Sequence, residues 1–224
     1  MAEIKVELVD SMGDDLRVCN AARVSFNKWK EELDEGDVGL INYLARHEHS
    51  SPFRHTAITL SCKAPVFLAR QLGKHQVGLS WNEVSRRYVD AGVEFFVPDY
   101  WRSRPDGSVK QGSGDVIIDE YAGTDQDGAY AGSVKQDYRY VLSYLMQVYD
   151  EWIKHGVAPE MARMVLPQSM MVDWIWTGSL TAFFHIWRLR VDSHAQKEAQ
   201  EFAQKLEEVV QPIFPHSWKA LKNA

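Results

Sequence analysis

The sequence of 224 residues has only two cysteines, no excess of positive charge and no long apolar run. Cys19 and Cys62 lie far apart in periodic segments, which argues against a disulfide framework or a thiolate metal site and predicts two buried apolar side chains. With a formal net charge of −6, no overall basic field attracts nucleic acid, so any anion site must be local. The apolar stretches fall far short of the ~20 residues that span a bilayer, and MAEIKVELVD lacks a signal region. We therefore expect a soluble, cytoplasmic protein.

What the chain does contain suits one mixed domain. Hydrophobic residues make up 45% of the sequence, which is enough for a sizeable core. Period-two patterns predict strands over 4–9, 55–62 and 169–178. Helical spacing predicts helices over 14–26, 37–47, 66–75, 135–154, 159–167 and 179–190. The mixture predicts an α/β or α+β class, with a single domain over 1–224.

Two further segments carry specific expectations. Ser193 with Gln196 three residues later matches a capping box, and it predicts a long helix with a buried stripe formed by Ala195, Ala199, Phe202, Leu206, Val209 and Ile213. Residues 102–132 are rich in Gly, Asp and Ser and have little periodicity. This composition predicts a long surface excursion or lid.

The segment KHQVGLSWNEVSRRY, residues 74–88, holds a high density of polar groups. A helix over its second half would place Glu83 and Arg87 four residues apart, as a solvated ion pair worth only ~0.2–0.5 kcal/mol. The alternative is an anion site, in which carboxylate, Ser85 hydroxyl and guanidinium hold a sugar phosphate while Lys74 and His75 add donors. Both interpretations stay open on these residues alone.

Three histidines, His47, His49 and His55, fall around a Pro-Phe turn. They invite a metal site and a metal-dependent hydrolase, but a nearby Cys or a matching Asp/Glu pair is lacking. The pattern therefore favours imidazoles that hydrogen-bond the backbone and a ligand, beside the Ser51 hydroxyl. We predict no metal.

Cations also lie among apolar residues towards the C-terminus, at Arg163, Arg188 and Arg190. An Arg is expensive to bury without a partner, so each must meet a carboxylate, a phosphate or a base edge. A structural salt bridge explains any one of them. Three regions that each offer Arg or His at element ends together favour a ligand site.

Four motifs in one order now point to a family. HSSPFRH (49–55), ARQLGKHQVGLSWNEVSRRY (69–88), ARMVLP (162–167) and LRVDSHAQKE (189–198) resemble the flavin-dependent thymidylate synthases. The resemblance runs from about residue 21 to about residue 200 and is weakest over the excursion, although KQGS (110–113) is still reminiscent. It implies a thymidylate synthase-complementing fold, with a central, mainly antiparallel or mixed sheet flanked by helices. It also implies a homotetramer whose active sites use residues from more than one chain.

The implied activity is reductive methylation of dUMP to dTMP. NADPH would reduce FAD, methylenetetrahydrofolate would donate the carbon, and the reduced flavin would deliver hydride. The resemblance assigns to dUMP the residues Gln71, Lys74, Glu83, Ser85, Arg87, Arg163 and Arg190. It assigns to FAD the residues Ser51, Lys74, His75, Gln76, Glu83, Ser179, Thr181 and His185.

This chain departs from the family pattern in places. The family signature runs Arg-His-Arg, seven residues, Ser, whereas here eight residues separate Lys74-His75-Gln76 from Ser85. Compared with the family's arginines, Lys74 keeps the positive charge but lacks the planar guanidinium, and Gln76 lacks the charge. Arg54 takes the place of the family's Glu before the second His, which gives the hypothesis that it restores positive charge nearby. The alternative is a dUMP-binding homologue with impaired flavin chemistry.

The residues themselves bear on the mechanism. C5 of uracil is a poor nucleophile, and neither cysteine sits in an electropositive setting, so a thiolate nucleophile is not expected. An always-charged Arg190 at the N3/O4 edge of uracil is expected to stabilise the enolate-like anion, which makes it the predicted catalytic residue. Ser85 is then a ligand to the nucleotide and not the attacking group.

Overall fold

The computed structural model describes residues 2–105, 107 and 112–224. They divide into two compact units. We call Ile4–Lys63, Arg70–Glu83 and Asp173–Ala224 the pocket unit. The described residues of 1–3, 64–69 and 84–172 form the hairpin unit. The predicted single domain over 1–224 stays a prediction.

Regular elements account for most of the described chain. The strands are Lys5–Met12 (β1), Ala57–Pro65 (β2), Leu79–Glu83 (β3), Glu120–Asp125 (β4), Gly128–Ser133 (β5) and Met171–Gly178 (β6). The α-helices are Asp15–Arg23 (α1), Glu35–Arg46 (α2), Val66–Leu72 (α3), Val134–Lys154 (α4), Pro159–Ala162 (α5), Leu180–Arg190 (α6), Lys197–Val210 (α7) and Pro215–Lys222 (α8). Short 3-10 turns lie at Val24–Phe26, Pro52–Arg54 and Arg163–Val165. Within the described ranges, no helix combines the length and apolar character needed to cross a membrane.

A four-stranded sheet of order β1-β2-β6-β3 underlies the pocket unit. β1 pairs antiparallel with β2, and β3 pairs antiparallel with β6. In β2 the side chains of Ile58, Leu60 and Cys62 are buried, as their alternation predicts. α7 packs on β1 and α6 packs on α7. The predicted class, a mixed α/β fold with a mainly antiparallel or mixed sheet flanked by helices, is confirmed.

The helical interpretation of SWNEVSRRY is wrong. Leu79–Glu83 forms β3, in which Trp81 lies opposite Trp176. The Trp81 ring stacks on Trp174 with 4.3 Å between centroids and meets Trp176 edge-on at 5.2 Å. Aromatic cross-strand pairs stabilise a sheet by about 0.2–1 kcal/mol each, and a helix would lose them. The same change removes the one-turn spacing that the solvated ion pair required.

The capping box predicted at Ser193 is wrong too. α7 begins only at Lys197, after Gln196, whose side chain makes no cap bond. A local turn precedes the helix, because Gln200 Nε2 donates to the carbonyls of Ser193 at 3.3 Å and Ala195 at 2.7 Å. Three predicted core residues, Ala195, Val209 and Ile213, are only half-buried. The buried stripe consists of Ala199, Phe202, Ala203, Leu206 and Val210.

The predicted excursion over 102–132 contains a regular hairpin that its composition did not suggest. β4 and β5 pair antiparallel as a hairpin, in which Gly128 adopts a φ of +123° at the turn. Tyr121 and Tyr130 pack edge-on, and the Tyr121 hydroxyl donates to Asp137 of α4 at 2.6 Å. The Gly- and Asp-rich composition hid this strand pattern. Residues 106 and 108–111, which include the start of KQGS, lie outside the described residues, and the lid role stays a prediction.

Both cysteines are buried in the pocket unit, as predicted. Burial, followed by the nearby Asp37 carboxylate, raises the pKa of the Cys19 thiol to about 12. Burial also raises the pKa of Cys62. Each thiol is therefore protonated at neutral pH, and a thiolate nucleophile is disfavoured.

Candidate active site

A pocket of about 810 Å³ lies in the pocket unit. Its volume falls within the ~300–1,000 Å³ range of small-molecule and cofactor sites. It is lined by Arg54, Thr56, Ala57, Lys74, His75, Gln76, Val77, Gly78, Leu79, Ser80, Thr177, Gly178, Ser179, Thr181, Ala182, His185 and Ile186. Six of the eight residues predicted to bind FAD are therefore brought together, namely Lys74, His75, Gln76, Ser179, Thr181 and His185.

Two glycines shape one wall of this pocket. Gly78 adopts a φ of +71°, which lets the segment after α3 turn into β3. Gly178 lies opposite Leu79 in the sheet, and a Cβ added to it would lie 2.4 Å from Leu79 Cδ2. Glycine adopts the positive φ of position 78 at little cost, and at position 178 it avoids a contact that would force the Leu79 side chain to shift. The wall therefore depends on residues that carry no side-chain chemistry.

The start of α6 is fixed by hydroxyl groups. Ser179 Oγ accepts from the Ala182 N–H at 3.3 Å, which makes Ser179 the N-cap. Thr56 Oγ1 accepts from the Leu180 N–H at 3.0 Å. These bonds satisfy two of the four N–H groups that a helix start leaves free. Thr181 Oγ1 is buried there without a hydrogen-bond partner among the described residues, so a ligand could use it.

At the far end of α6, Arg190 meets a histidine. Arg190 Nη2 lies 2.9 Å from His75 Nε2, and the His75 ring lies 6.1 Å from that of His185 between centroids. Burial, then the Arg190 charge, then His185 lower the pKa of His75. Burial also lowers the pKa of Arg190, which nonetheless stays charged at neutral pH. The pair is thus a guanidinium beside a neutral imidazole.

The Arg190 guanidinium keeps an unused donor. Its Nε is buried and has no hydrogen-bond partner within the described part of the chain. A buried polar group left unpaired costs about 1–3 kcal/mol, and more when it is charged. Such a donor is suited to a ligand acceptor.

The other predicted residues of the pocket unit do not line this pocket. Ser51 is exposed just before the Pro52–Arg54 turn, and Gln71 Oε1 is buried without a partner among the described residues. Glu83 ends β3, where its Oε2 accepts from Trp81 Nε1 at 3.3 Å. Local burial raises the pKa of Glu83, and this bond opposes the rise. The residue as a whole nevertheless remains exposed.

Three predicted dUMP ligands belong to the hairpin unit, on turns. The Arg87 backbone N–H and Nε lie 3.2 and 3.4 Å from Ser85 Oγ, and the Arg87 guanidinium lies 5.1 Å from the centre of the Tyr88 ring. Arg163 is exposed, and its Nε donates to the Glu160 carbonyl at 3.3 Å. Both guanidiniums bond to partners that are close in sequence, and both residues are exposed.

Arg86 bonds to the backbone, unlike its neighbour Arg87. Its guanidinium lies 3.4, 2.7 and 3.2 Å from the carbonyl oxygens of Val89, Ala91 and Gly92. These bonds close the turn that carries Ser85 and Arg87. Arg86 is therefore a structural residue, which the Arg-Arg pair in the sequence does not reveal.

The histidine cluster forms an aromatic surface group. The Tyr43 ring lies 4.3 Å from the His47 ring and 5.9 Å from the His49 ring between centroids, and His55 is exposed. Among the described residues, no group of three or more His, Cys, Asp or Glu is arranged to hold a metal. Their predicted bonding to a ligand stays a prediction.

Several pocket residues carry no role in the sequence predictions. Thr56 and Gly178 are the main examples, and Arg54, present only as a charge hypothesis, lines the same pocket as Lys74 and Gln76. A glycine within the period-two run 169–178 was a usable signal for close approach. Thr56 carried no local signal, because its role depends on α6, which lies far along the chain.

The fold is mixed α/β, and its pocket has the size of a small-molecule site. Residues 7–216 match the family model described as thymidylate synthase complementing protein. The chain therefore belongs to the flavin-dependent thymidylate synthase family, and it is an enzyme of the methyltransferase class, as predicted.

Individual relatives agree over nearly the whole chain. A flavin-dependent thymidylate synthase of Thermosipho africanus is 35% identical over 226 residues, covering 96% of this chain and 89% of the relative. The enzyme of that name from Thermus thermophilus is 36% identical, with 97% and 75% covered. A solved UMP/dUMP methylase, PolB from Streptomyces cacaoi bound with 5-Br dUMP, matches with a TM-score of 0.81 at 32% identity, covering 99% and 96%.

Proposed function

We propose that the protein methylates dUMP to dTMP, with methylenetetrahydrofolate as carbon donor and FAD reduced by NADPH. Family membership and the dUMP analogue bound by the S. cacaoi relative support the nucleotide. The observation that carries the proposal is Arg190, a partly buried guanidinium that lies beside the pocket residue His75 and whose Nε has no hydrogen-bond partner among the described residues. A fixed cation of this kind is suited to stabilise the anion that develops on the uracil ring.

The pocket fits the flavin by its donor set. Thr181 offers an unpartnered buried hydroxyl, while Lys74 and Arg54 offer positive charge for a pyrophosphate. The proposed FAD ligands are Ser51, Lys74, His75, Gln76, Glu83, Ser179, Thr181 and His185. When bound, FAD would supply the hydride that completes the methyl group.

The proposed dUMP ligands are Gln71, Lys74, Glu83, Ser85, Arg87, Arg163 and Arg190. Arg87 and Arg163 are exposed, and among the described residues their guanidiniums have local partners only, which suits phosphate recognition. We propose a homotetramer in which each active site uses residues from more than one chain, and exposed ligands of this kind are compatible with that arrangement.

The uracil ring is activated without a cysteine in this proposal. The buried thiols of Cys19 and Cys62, with their raised pKa values, support this choice because neither can supply a thiolate near pH 7. Arg190 instead stabilises the enolate-like anion at the N3/O4 edge. Ser85 binds the nucleotide and does not attack it.

A methyl-transfer assay tests the function directly. Purified protein is mixed with dUMP, methylenetetrahydrofolate, NADPH and FAD, and dTMP is measured by chromatography, with each component omitted in turn. We expect no dTMP when dUMP, methylenetetrahydrofolate or NADPH is omitted, and flavin absorbance in the purified protein. Colourless protein that also fails to bind added FAD would defeat the proposal.

Two further arms separate the alternatives. NADPH oxidation is followed with and without dUMP, since a homologue with impaired flavin chemistry, caused by Lys74 and Gln76, would bind dUMP without oxidising NADPH. UMP replaces dUMP in a parallel assay, because the S. cacaoi relative carries both nucleotides in its name. Methylation of UMP alone would contradict the proposed substrate.

A further inference from the structure

The contact between His75 and Arg190 joins two elements far apart in sequence. His75 follows α3, where its backbone N–H donates to the Leu72 carbonyl at 2.9 Å, and it is one of the residues that line the pocket. Arg190 is the last residue of α6. The 2.9 Å distance between Arg190 Nη2 and His75 Nε2 is that of a hydrogen bond.

The chemistry of the two groups fixes the direction of this bond. A guanidinium carries five N–H donors, has no acceptor and stays protonated in proteins. His75 Nε2 must therefore offer a lone pair, which places the ring proton on Nδ1. The tautomer follows from the partner, and it leaves an Nδ1–H donor on a ring that faces the pocket.

The charges around the ring agree with a neutral imidazole. α6 presents Arg190 and His185 to it, and Lys74 precedes it in its own segment. Burial, Arg190 and His185 all lower the pKa of His75. Each named neighbour is basic, and none of them would stabilise an imidazolium.

We propose that His75 is a positioning residue for Arg190, whose guanidinium it holds as a neutral acceptor protonated at Nδ1. The inference rests on the proposed function, in which Arg190 stabilises the uracil anion. A carboxylate could hold the guanidinium as well, but its charge would offset the positive field that the anion needs. An imidazole orients Arg190 and leaves that charge intact.

This arrangement predicts that kcat falls at low pH, which gives the pH profile an acid limb. Protonation of Nε2 would place an N–H donor and a positive charge opposite the Arg190 guanidinium, which is itself a charged donor. The hydrogen bond that holds Arg190 would then be lost. The pKa of His75 in the folded protein lies below the ordinary value of about 6.5, so kcat reaches its maximum above that pH. It is lost as the pH falls through the pKa of His75.

Two variants of His75 test the role through kcat. His75→Leu removes the acceptor, and we expect kcat at saturating dUMP to fall by about 10- to 100-fold. His75→Gln supplies a carbonyl acceptor that does not titrate, so it should retain more activity than the Leu variant and lose the acid limb. His155→Gln, at an exposed position after α4, is the matched control and should behave as wild type.

A double-mutant cycle shows whether His75 acts through Arg190. In an Arg190→Lys background, His75→Leu should lower kcat much less than in the wild type, since the two residues form one unit. Equal effects in both backgrounds would overturn the proposal. So would an unchanged acid limb in His75→Gln.

A measurement without turnover distinguishes this inference from the proposed function. NMR of protein with ¹⁵N-labelled histidine, assigned through His75→Gln, should show the Nδ1–H tautomer of His75. Its pKa should rise in Arg190→Ala, because a neighbouring positive charge is removed. An Nε2–H tautomer, or a pKa unchanged by that substitution, refutes the contact even in an active enzyme. An inactive wild type with the expected NMR result refutes only the proposed function.

Discussion

The pocket unit and the hairpin unit hold their predicted site residues in different ways. In the pocket unit, side chains bond to partners far along the chain, as Arg190 does to His75 and Thr56 does to Leu180. In the hairpin unit, Ser85 and Arg87 bond to each other on a turn. The first arrangement fixes groups before a ligand arrives, whereas the second leaves charges exposed.

This difference predicts which residues determine the reaction rate and which determine the affinity for the ligand. Pre-positioned groups cost little reorganisation during a reaction and act on the transition state. Exposed guanidiniums on turns lose side-chain freedom when they bind, so they contribute mainly to capture of the ligand. Substitutions in the two units should therefore change different kinetic constants.

The largest effect is expected from Arg190→Ala in the pocket unit. Loss of the partly buried cation should lower kcat for dTMP formation by at least about 100-fold, or about 3 kcal/mol, while the fold remains intact. Turnover and thermal unfolding are the measurements. Arg188→Ala, exposed on the same helix, is the matched control. Wild-type turnover in the Arg190 variant would remove the proposed mechanism.

The next effect concerns the hairpin unit, through Arg87→Ala. A charged hydrogen bond to phosphate is worth about 1.5–3 kcal/mol, so the Kd for dUMP should rise by about 10- to 100-fold with little change in kcat. Calorimetric titration at fixed ionic strength measures this change. Arg139→Ala, at an exposed position on α4, should leave the Kd unaltered. A change confined to kcat would erase the contrast between the units.

A pair of glycine substitutions tests the wall of the pocket. Gly78→Ala forces an L-residue into a φ of +71° and should destabilise the protein by about 1–2 kcal/mol. Gly39→Ala lies within α2, where an added Cβ meets nothing within 4 Å, and should stabilise by about 0.5–1 kcal/mol. Urea unfolding should show opposite signs, and equal signs would contradict the assigned role of Gly78.

The smallest effect is expected from Arg54→Glu. This residue lines the pocket beside Lys74 and Gln76, so reversing its charge should weaken FAD binding by about 1 kcal/mol, or about fivefold. Fluorescence titration with FAD measures the affinity. Arg46→Glu, exposed at the end of α2, reverses a charge outside the pocket lining and is the control. Normal flavin affinity in the Arg54 variant would argue against the compensation hypothesis.

Periodicity predicted the elements with a clear face, as Ile58, Leu60 and Cys62 of β2 illustrate. The prediction failed at β3, because Leu79–Glu83 gains its strand character from Trp174 and Trp176, which lie much later in the sequence. It failed at Ser193 because the side chain of Gln200 stabilises a turn before the helix.

The features of the candidate site also divide into those that the sequence predicted and those that it did not. Residue types and motif order predicted FAD ligands, and six of them line one pocket. These patterns could not indicate the bond between His75 and Arg190, whose positions differ by 115 residues, or the close approach of Leu79 to Gly178. Such features come from tertiary pairing, for which a local pattern carries no signal.

The position of β3 at the end of the strand order has a consequence for synthesis. Its sheet neighbour is β6, so Leu79–Glu83 leaves the ribosome long before its partner exists. Until then Trp81 lacks the ring on which it stacks, and the strand presents unpaired backbone to other nascent chains. A slow stretch of translation just before Met171 would lengthen that exposure, whereas one placed after Gly178 would allow the sheet to close.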